Sequence, residues 1–164
     1  MSDYPYYPDQ ARIGRDKQVY DADNVRQVAG CIVIEPRSNR ILLVTSSKHE
    51  GVWVFPKGGW ENDETQEEAA ERETYEEAGV RGKITRLIGN FLEYDMYDNP
   101  KNRFWLYEFH VHRVMDKWPE MSFRKRQWFA FDEAFHALRF KPLLQRALMQ
   151  SSLAPQQLPQ TGSS

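Results

Sequence analysis

The stretch that most constrains this chain is Gly58–Val80, GGWENDETQEEAAERETYEEAGV. Its spacing is glycine-x5-glutamate-x7-arginine-glutamate-x2-glutamate-glutamate-x-glycine, fixed at Gly58, Glu64, Arg72, Glu73, Glu76, Glu77 and Gly79. A helix advances about 100° per residue, so residues three and four apart share a face. The pattern predicts a helix over 65–78, with an acidic first turn begun at Asp63 or Glu64 and an end set by Gly79. On that helix Glu73, Glu76 and Glu77 converge on one stripe. Ala69 and Val80 share the stripe, which turns it toward protein, while Glu67, Glu68 and Glu71 point the other way. Like charges at this spacing repel, and a carboxylate withdrawn from water is costly without a partner. Hard divalent cations with oxygen ligands relieve both problems. A solvated Glu-rich helix is the plain alternative, and the loop glycines and Arg72 in register weigh against it. Gly58 and Gly59 let backbone turn sharply and approach a metal or phosphate closely.

At 164 residues the chain is one domain with room for a real core. A net charge of −2 excludes a global attraction to nucleic acid or membranes, so any anion site must be a local basic patch. The lone cysteine, Cys31, lies in an apolar run and reads as a buried core thiol, compatible with a reducing compartment. No apolar run approaches the ~18–20 residues of a membrane span, and the first residues lack a signal-peptide core. A soluble cytoplasmic protein, present also in the nucleus and monomeric, is expected.

Three segments are expected: a mobile arm over 1–16, a domain over 17–150 and a low-complexity polar tail over 151–164. Neither end carries a periodic apolar face, so both are expected to be dispensable for turnover. Between them, strands are predicted at 27–35 and 40–46 around a PRSN turn, and near 83–94, 103–114 and 127–131. Helices are predicted at 131–138 and 142–149, with Pro142 in a first turn. This order predicts an α+β protein with a mixed sheet between helices.

Basic residues recur outside the acidic helix: Arg26, Lys48, Lys101, Arg103, Arg124-Lys125-Arg126 and Lys141. Singly each is an ordinary solvated charge. Together they would ring a site for an anion of many phosphates. Arg72 reads as a partner that orients a neighbouring carboxylate. Glu64 reads as a further outer or catalytic carboxylate, or as a charge favouring the helix dipole.

The glycine–glutamate pattern resembles the Nudix box of hydrolases that cleave diphosphate linkages with divalent metals. The resemblance implies an α/β/α sandwich, a cofactor of Mg²⁺ or Mn²⁺, and a metal shell from Glu73, Glu76, Glu77 and the carbonyl of Lys57. It implies Glu76 as general base, which the residues alone do not separate within the glutamate set, with Arg72 and Glu64 in support. VTSSKHEGVWVFPKGG, EEAGVRGKI, and RKRQWF with a downstream FKP look like the diphosphoinositol polyphosphate phosphohydrolase branch, which also hydrolyses diadenosine polyphosphates. By that likeness Ser46, Ser47 and Lys48 contact phosphates, beside Lys57, Gly58 and Gly59, with Arg26, Lys101, Arg103, Arg126 and Lys141 nearby. The PKGG form looks more fungal or plant than animal, and the fungal type is the expectation. Thr74 departs from the bulky aliphatic residue usual at its place.

Two further readings compete. One is a hydrolase of other nucleoside diphosphate derivatives or capped RNA, for which Trp60, Tyr97 or Trp105 would supply base stacking. The other is a silent domain that binds phosphorylated ligands, against which the complete glutamate set argues. The expected partner is a small-molecule polyphosphate, with no membrane and no nucleic acid other than capped RNA.

Overall fold

A computed structural model describes residues 4–156. The elements run β1 (Arg26–Glu35), β2 (Arg40–Thr45), β3 (Trp53–Val54), β4 (Lys57–Gly59), α1 (Gln66–Ala78), β5 (Val80–Tyr94), β6 (Pro100–Val114), β7 (Arg126–Phe129), α2 (Phe131–Ala137) and α3 (Pro142–Met149). The expected α+β architecture is the one that forms, a mixed sheet with three helices. Boundaries shift by one to three residues. The largest shifts are at β5 and β6, which start at Val80 and Pro100 instead of 83 and 103. The short strand β4 occupies what reads in sequence as a bare glycine loop.

β1 is the central strand. Val28–Ile34 are buried without alternation, as expected of a strand covered on both faces. It runs parallel to β6, from Arg26↔Asn102 to Ile34↔His110, and β6 is antiparallel to β5. Its other edge is shared. Val33–Glu35 pair with β2, whereas Val28–Gly30 pair with β4. β2 splits in the same way. Ile41 and Leu42 bond β1 on one edge and β7 on the other, and Val44 bonds β7 and β3. β3 therefore lies on the edge of β2 that faces β1. The two strands splay apart, and the β3–β4 segment wedges between them.

Helix α1 packs across this wedge, touching β1, β2, β4, β5 and β6. α2 covers β2 and β7, and α3 lies against β5. Ala69, Ala70 and Ala78 are fully buried beneath α1, and small side chains let the helix sit close to β1. The Cys31 thiol lies 3.7 Å from the Ala70 carbonyl, and burial pushes its pKa up to about 12. Among the described residues no helix is long and apolar enough to cross a membrane.

Residues of the expected free arm are docked. The Tyr7 ring stacks on Tyr75 of α1 at 4.8 Å, and the Arg81 guanidinium lies 4.4 Å over Tyr7 and donates to the Pro5 carbonyl at 2.6 Å. Tyrosines and one arginine hold the arm through ring faces, a signal that leaves no apolar period in sequence. The start of the expected tail is also tied down. The Ser152 N–H and hydroxyl both donate to buried Glu108. Residues 157–164 of that tail and 1–3 of the arm lie outside the described residues.

Candidate active site

Local sequence builds α1 at both ends. The Thr65 hydroxyl accepts from the Glu68 N–H, and Glu68 returns a bond to the Thr65 N–H, satisfying two otherwise unpaired donors. At the other end Gly79 adopts φ 67°, ψ 38° and closes the helix on the Tyr75 carbonyl. The stripe holds as expected in one respect: Ala69 and Val80 face the core and Glu67 and Glu68 face water.

Arg72 is the hub of this face. Its guanidinium forks onto Glu64 at 2.7 and 2.9 Å, and also reaches Glu73 at 2.9 Å, Glu76 at 2.8 Å and the Gly59 carbonyl at 3.1 Å. A planar five-donor fork is what such a crowd of acceptors needs. Both Glu64 oxygens serve Arg72, so this carboxylate stands behind the helix as an anchor. The three glutamates divide. Glu73 and Glu77 face the main cleft, whereas Glu76 lies on the opposite side of Arg72. The reason is angular: Glu76 is about 100° round the helix from Glu77.

Glu73 stands against the glycine strand so closely that a Cβ at Gly58 would overlap its carboxylate. Glu77 accepts from the Lys57 N–H at 3.3 Å. The Lys57 carbonyl belongs to the peptide joining these two contact points. Burial, and then Glu77 nearby, hold the Glu73 pKa well above the usual carboxylate range. Burial likewise pushes Glu77 up to about 7, against the pull of Arg124 and Lys57. Burial lowers the ammonium of Lys57, which lies 5.4 Å over the Phe104 ring. Among the described residues no group of three or more His, Cys, Asp or Glu forms a ready cage. Two destabilised carboxylates flanking a backbone carbonyl are nonetheless a donor set that suits a hard divalent cation.

The cleft above them holds about 510 Å³. It opens where β1 and β2 splay. Arg26 enters from the start of β1, Lys101 from the start of β6, Ser46, Ser47 and Lys48 from the loop after β2, and Lys141 from the turn before α3. The Ser46 hydroxyl accepts from the N–H groups of Lys48 and His49 at 3.2 and 3.3 Å, which fixes that loop's turn. Lys57, Gly58 and Gly59 form the floor. Three of the basic residues named from sequence, Arg103, Lys125 and Arg126, do not line the cleft. Arg126 donates to the carbonyls of Ala78, Gly79 and Met115 and lies 3.9 Å over Trp118, so it latches the end of α1. Arg103 points along the sheet to Asn90 at 2.6 Å. β7 brings Arg126 beside Val44, and alternation along that strand turns it toward α1.

Arg124, one of the basic residues named from sequence, does line the cleft, from the loop before β7. Other lining residues escape a sequence reading, and Glu120 of the same loop is one of them. Arg124 bridges Glu120 at 2.7 Å and Glu77 at 3.3 Å, and the Glu120 N–H bonds the Glu76 carbonyl at 3.1 Å. Arg12, Arg15 and Gln18 arrive from the N-terminal segment, with Gln18 packed on Gly59 and accepting from Arg26 at 2.6 Å. No fixed spacing links these residues to the acidic helix, so only the fold shows them. Of the proposed stacking residues, Trp60 donates to the Glu64 carbonyl, Trp105 donates to Gln27, and Tyr97 lies 77% exposed, all outside the cleft.

A carboxylate helix against a glycine strand, under a ring of cations, is a site suited to phosphate-bearing ligands. The chain belongs to the NUDIX family, whose domain model matches residues 25–150. It is 38% identical over 134 residues to Nudix hydrolase 4 of Arabidopsis thaliana, covering 76% of this chain and 64% of that protein. It is 36% identical over 125 residues to human diphosphoinositol polyphosphate phosphohydrolase 3-alpha, covering 74% of each chain. A NUDIX hydrolase from Nitrosomonas europaea shares the fold at a TM-score of 0.66 and 17% identity, over 77% of this chain and 87% of that one. The relatives named here are plant and mammalian and lend the fungal expectation no support. Hydrolases of this family generally use divalent metals such as Mg²⁺.

Proposed function

We propose that this protein is a divalent-cation-dependent hydrolase of diphosphate linkages in very highly phosphorylated small molecules, namely diphosphoinositol polyphosphates and diadenosine polyphosphates. The observation that carries the reading is the make-up of the cleft. Arg26, Lys48, Lys101, Arg124 and Lys141 line the cleft with Glu73 and Glu77 at its floor, and among the described lining residues cations outnumber the four carboxylates, Glu73, Glu77, Glu93 and Glu120. Such a rim binds many phosphates at once through charge-assisted contacts. The likeness to the human diphosphoinositol polyphosphate phosphohydrolase supports the inositol substrate. Phe104 is the only Phe, Tyr or Trp among the described lining residues, and it is 6% exposed, so an inositol ring, which has no base to stack, suits this lining better than a nucleotide does.

Glu73, Glu77 and the Lys57 carbonyl would hold the cation, which when bound neutralises charge on the diphosphate oxygens. The basic rim orients the substrate over the floor of Lys57, Gly58 and Gly59. Arg72 fixes Glu73 and Glu76; the family resemblance assigns proton acceptance from the attacking water to Glu76, whereas its carboxylate here lies behind Arg72, outside the cleft, bonded to Arg72 and to the Arg12 N–H. The test is one assay panel of diphosphoinositol pentakisphosphate, diadenosine hexaphosphate, capped RNA and a nucleotide sugar, each with Mg²⁺ and with Mn²⁺. Turnover fastest on the first two supports the reading. Preference for the capped RNA or the sugar replaces it with a nucleotide-directed activity.

A further inference from the structure

The acidic face behind α1 is short of positive charge. Glu61, Asp63, Glu64, Glu73 and Glu76 gather around Arg72, and Glu61 and Glu76 are buried. Arg72 reaches only one oxygen of Glu76, and it does not reach Glu61 or Asp63. The N-terminal segment supplies the missing donors. The Arg12 main-chain N–H donates to the other Glu76 oxygen at 2.7 Å, and its guanidinium pairs with Glu61 and, at 3.0 Å, with Asp63. Five residues upstream Tyr7 stacks on Tyr75, and six residues downstream Gln18 packs on Gly59. The segment is thus pinned on both sides of Arg12. A buried carboxylate left with an unmet oxygen moves or changes its protonation, so each donor fixes both position and charge.

We propose that residues 7–18 are a strap belonging to the active site, with Arg12 as a positioning residue. It holds Glu76 from behind, and through Arg72 it holds Glu73 in register with the cleft. This rests on the hydrolase reading above and reverses the expectation that the first sixteen residues are dispensable. Arg12 acts through Glu76, which its N–H holds, and through Glu61 and Asp63, which its guanidinium holds, so loss of its side chain acts on turnover through the placement of Glu76 while Lys48, Lys101 and Lys141 of the rim keep their places.

The experiment measures kcat and KM on diphosphoinositol pentakisphosphate for Arg12→Ala, Arg12→Lys, a chain lacking residues 1–16, and Ile13→Ser. Ile13 is 94% exposed on the same segment. Misplaced catalytic groups cost about tenfold to a hundredfold, so Arg12→Ala and the truncation should lose that much kcat. KM should stay within about twofold for Arg12→Ala, though not for the truncation, which also removes the cleft-lining Arg15; Arg12→Lys should recover part of the loss, and Ile13→Ser should match wild type. Unchanged or raised kcat without Arg12, or a loss confined to KM, overturns the proposal. A second readout is independent of the substrate. Trypsin should cut the Arg12–Ile13 bond slowly in the wild type and fast in Asp63→Asn and Glu61→Gln. Equal rates overturn the strap. A wild type inactive on every polyphosphate, with that bond still protected, defeats the hydrolase reading and leaves the strap standing.

Discussion

Glu77 shows what single residues endure at this site. Burial lifts its pKa from an ordinary 4.5 to about 7. The folded chain then binds a proton that the unfolded chain has already lost, so folding stability falls as pH rises between these two values. In cation-free buffer the melting temperature should therefore decline from about pH 5 to about pH 7. Glu77→Gln should flatten that decline, raise melting above pH 7 and abolish turnover. Added Mg²⁺ should raise wild-type melting more at pH 7.5 than at pH 5. A melting curve indifferent to the substitution would show that the carboxylate is not under this strain. Arg126 and Lys48 make a second pair of residue-level predictions. Each charge-assisted phosphate contact is worth about 1.5–3 kcal/mol, so Lys48→Ala should raise KM about tenfold or more for the diphosphoinositol substrate and less for a nucleotide sugar. Arg126→Ala takes the guanidinium away from the Ala78 carbonyl at the end of α1 and from the Met115 carbonyl after β6, while Gly79 keeps the Met115 N–H. It should lower melting and alter both substrates equally, and a substrate-selective effect would return Arg126 to the phosphate site.

At the scale of elements, α1 combines good ends with one local flaw. Thr74 is fully buried, and the only polar group its hydroxyl meets is the Cys31 thiol, a weak partner. Thr74→Val keeps the shape and removes the poorly met group, so denaturant melts should show a gain of up to about 1 kcal/mol with turnover intact. Thr65→Ala removes the capping box and should cost about 1 kcal/mol by the same measurement. The helix and the long strands were legible because period and punctuation are local: three- and four-residue spacing, the αL glycine, the alternation of β6. The wedge was not. Whether Val28 pairs with β2 or with Gly59 depends on strand splay, which no window of sequence encodes. The site divides along the same line. The glutamates lie on one helix, but which of them faces the cleft is decided by Arg72 and the glycine strand.

At the scale of the molecule, both ends of the described chain are fastened to the domain. Glu108 is buried, which alone would raise its pKa. The Ser152 N–H and hydroxyl, with Arg86 at 3.0 Å, more than offset that and hold it below the usual value. A depressed carboxylate stabilises the fold above its unfolded pKa and gives this up as pH falls through the folded one. A chain ended at Gln150 should therefore be less stable at neutral pH by about 1–3 kcal/mol and lose less on acidification, as urea melts at pH 7 and pH 3.5 can show. These fastenings were invisible in composition, because a polar, aperiodic segment is held by a few long-range bonds and has no apolar face to announce them.

The wedge between β1 and β2 also sets an order of events during synthesis. β1 cannot receive its parallel neighbour until residues 102–110 have been made. The cleft draws its lining from Arg12 to Lys141. A nascent chain at the ribosome therefore carries its glutamates long before the full lining of the cleft has been made. The strap, made before the helix it clasps, has no seat until that helix is present.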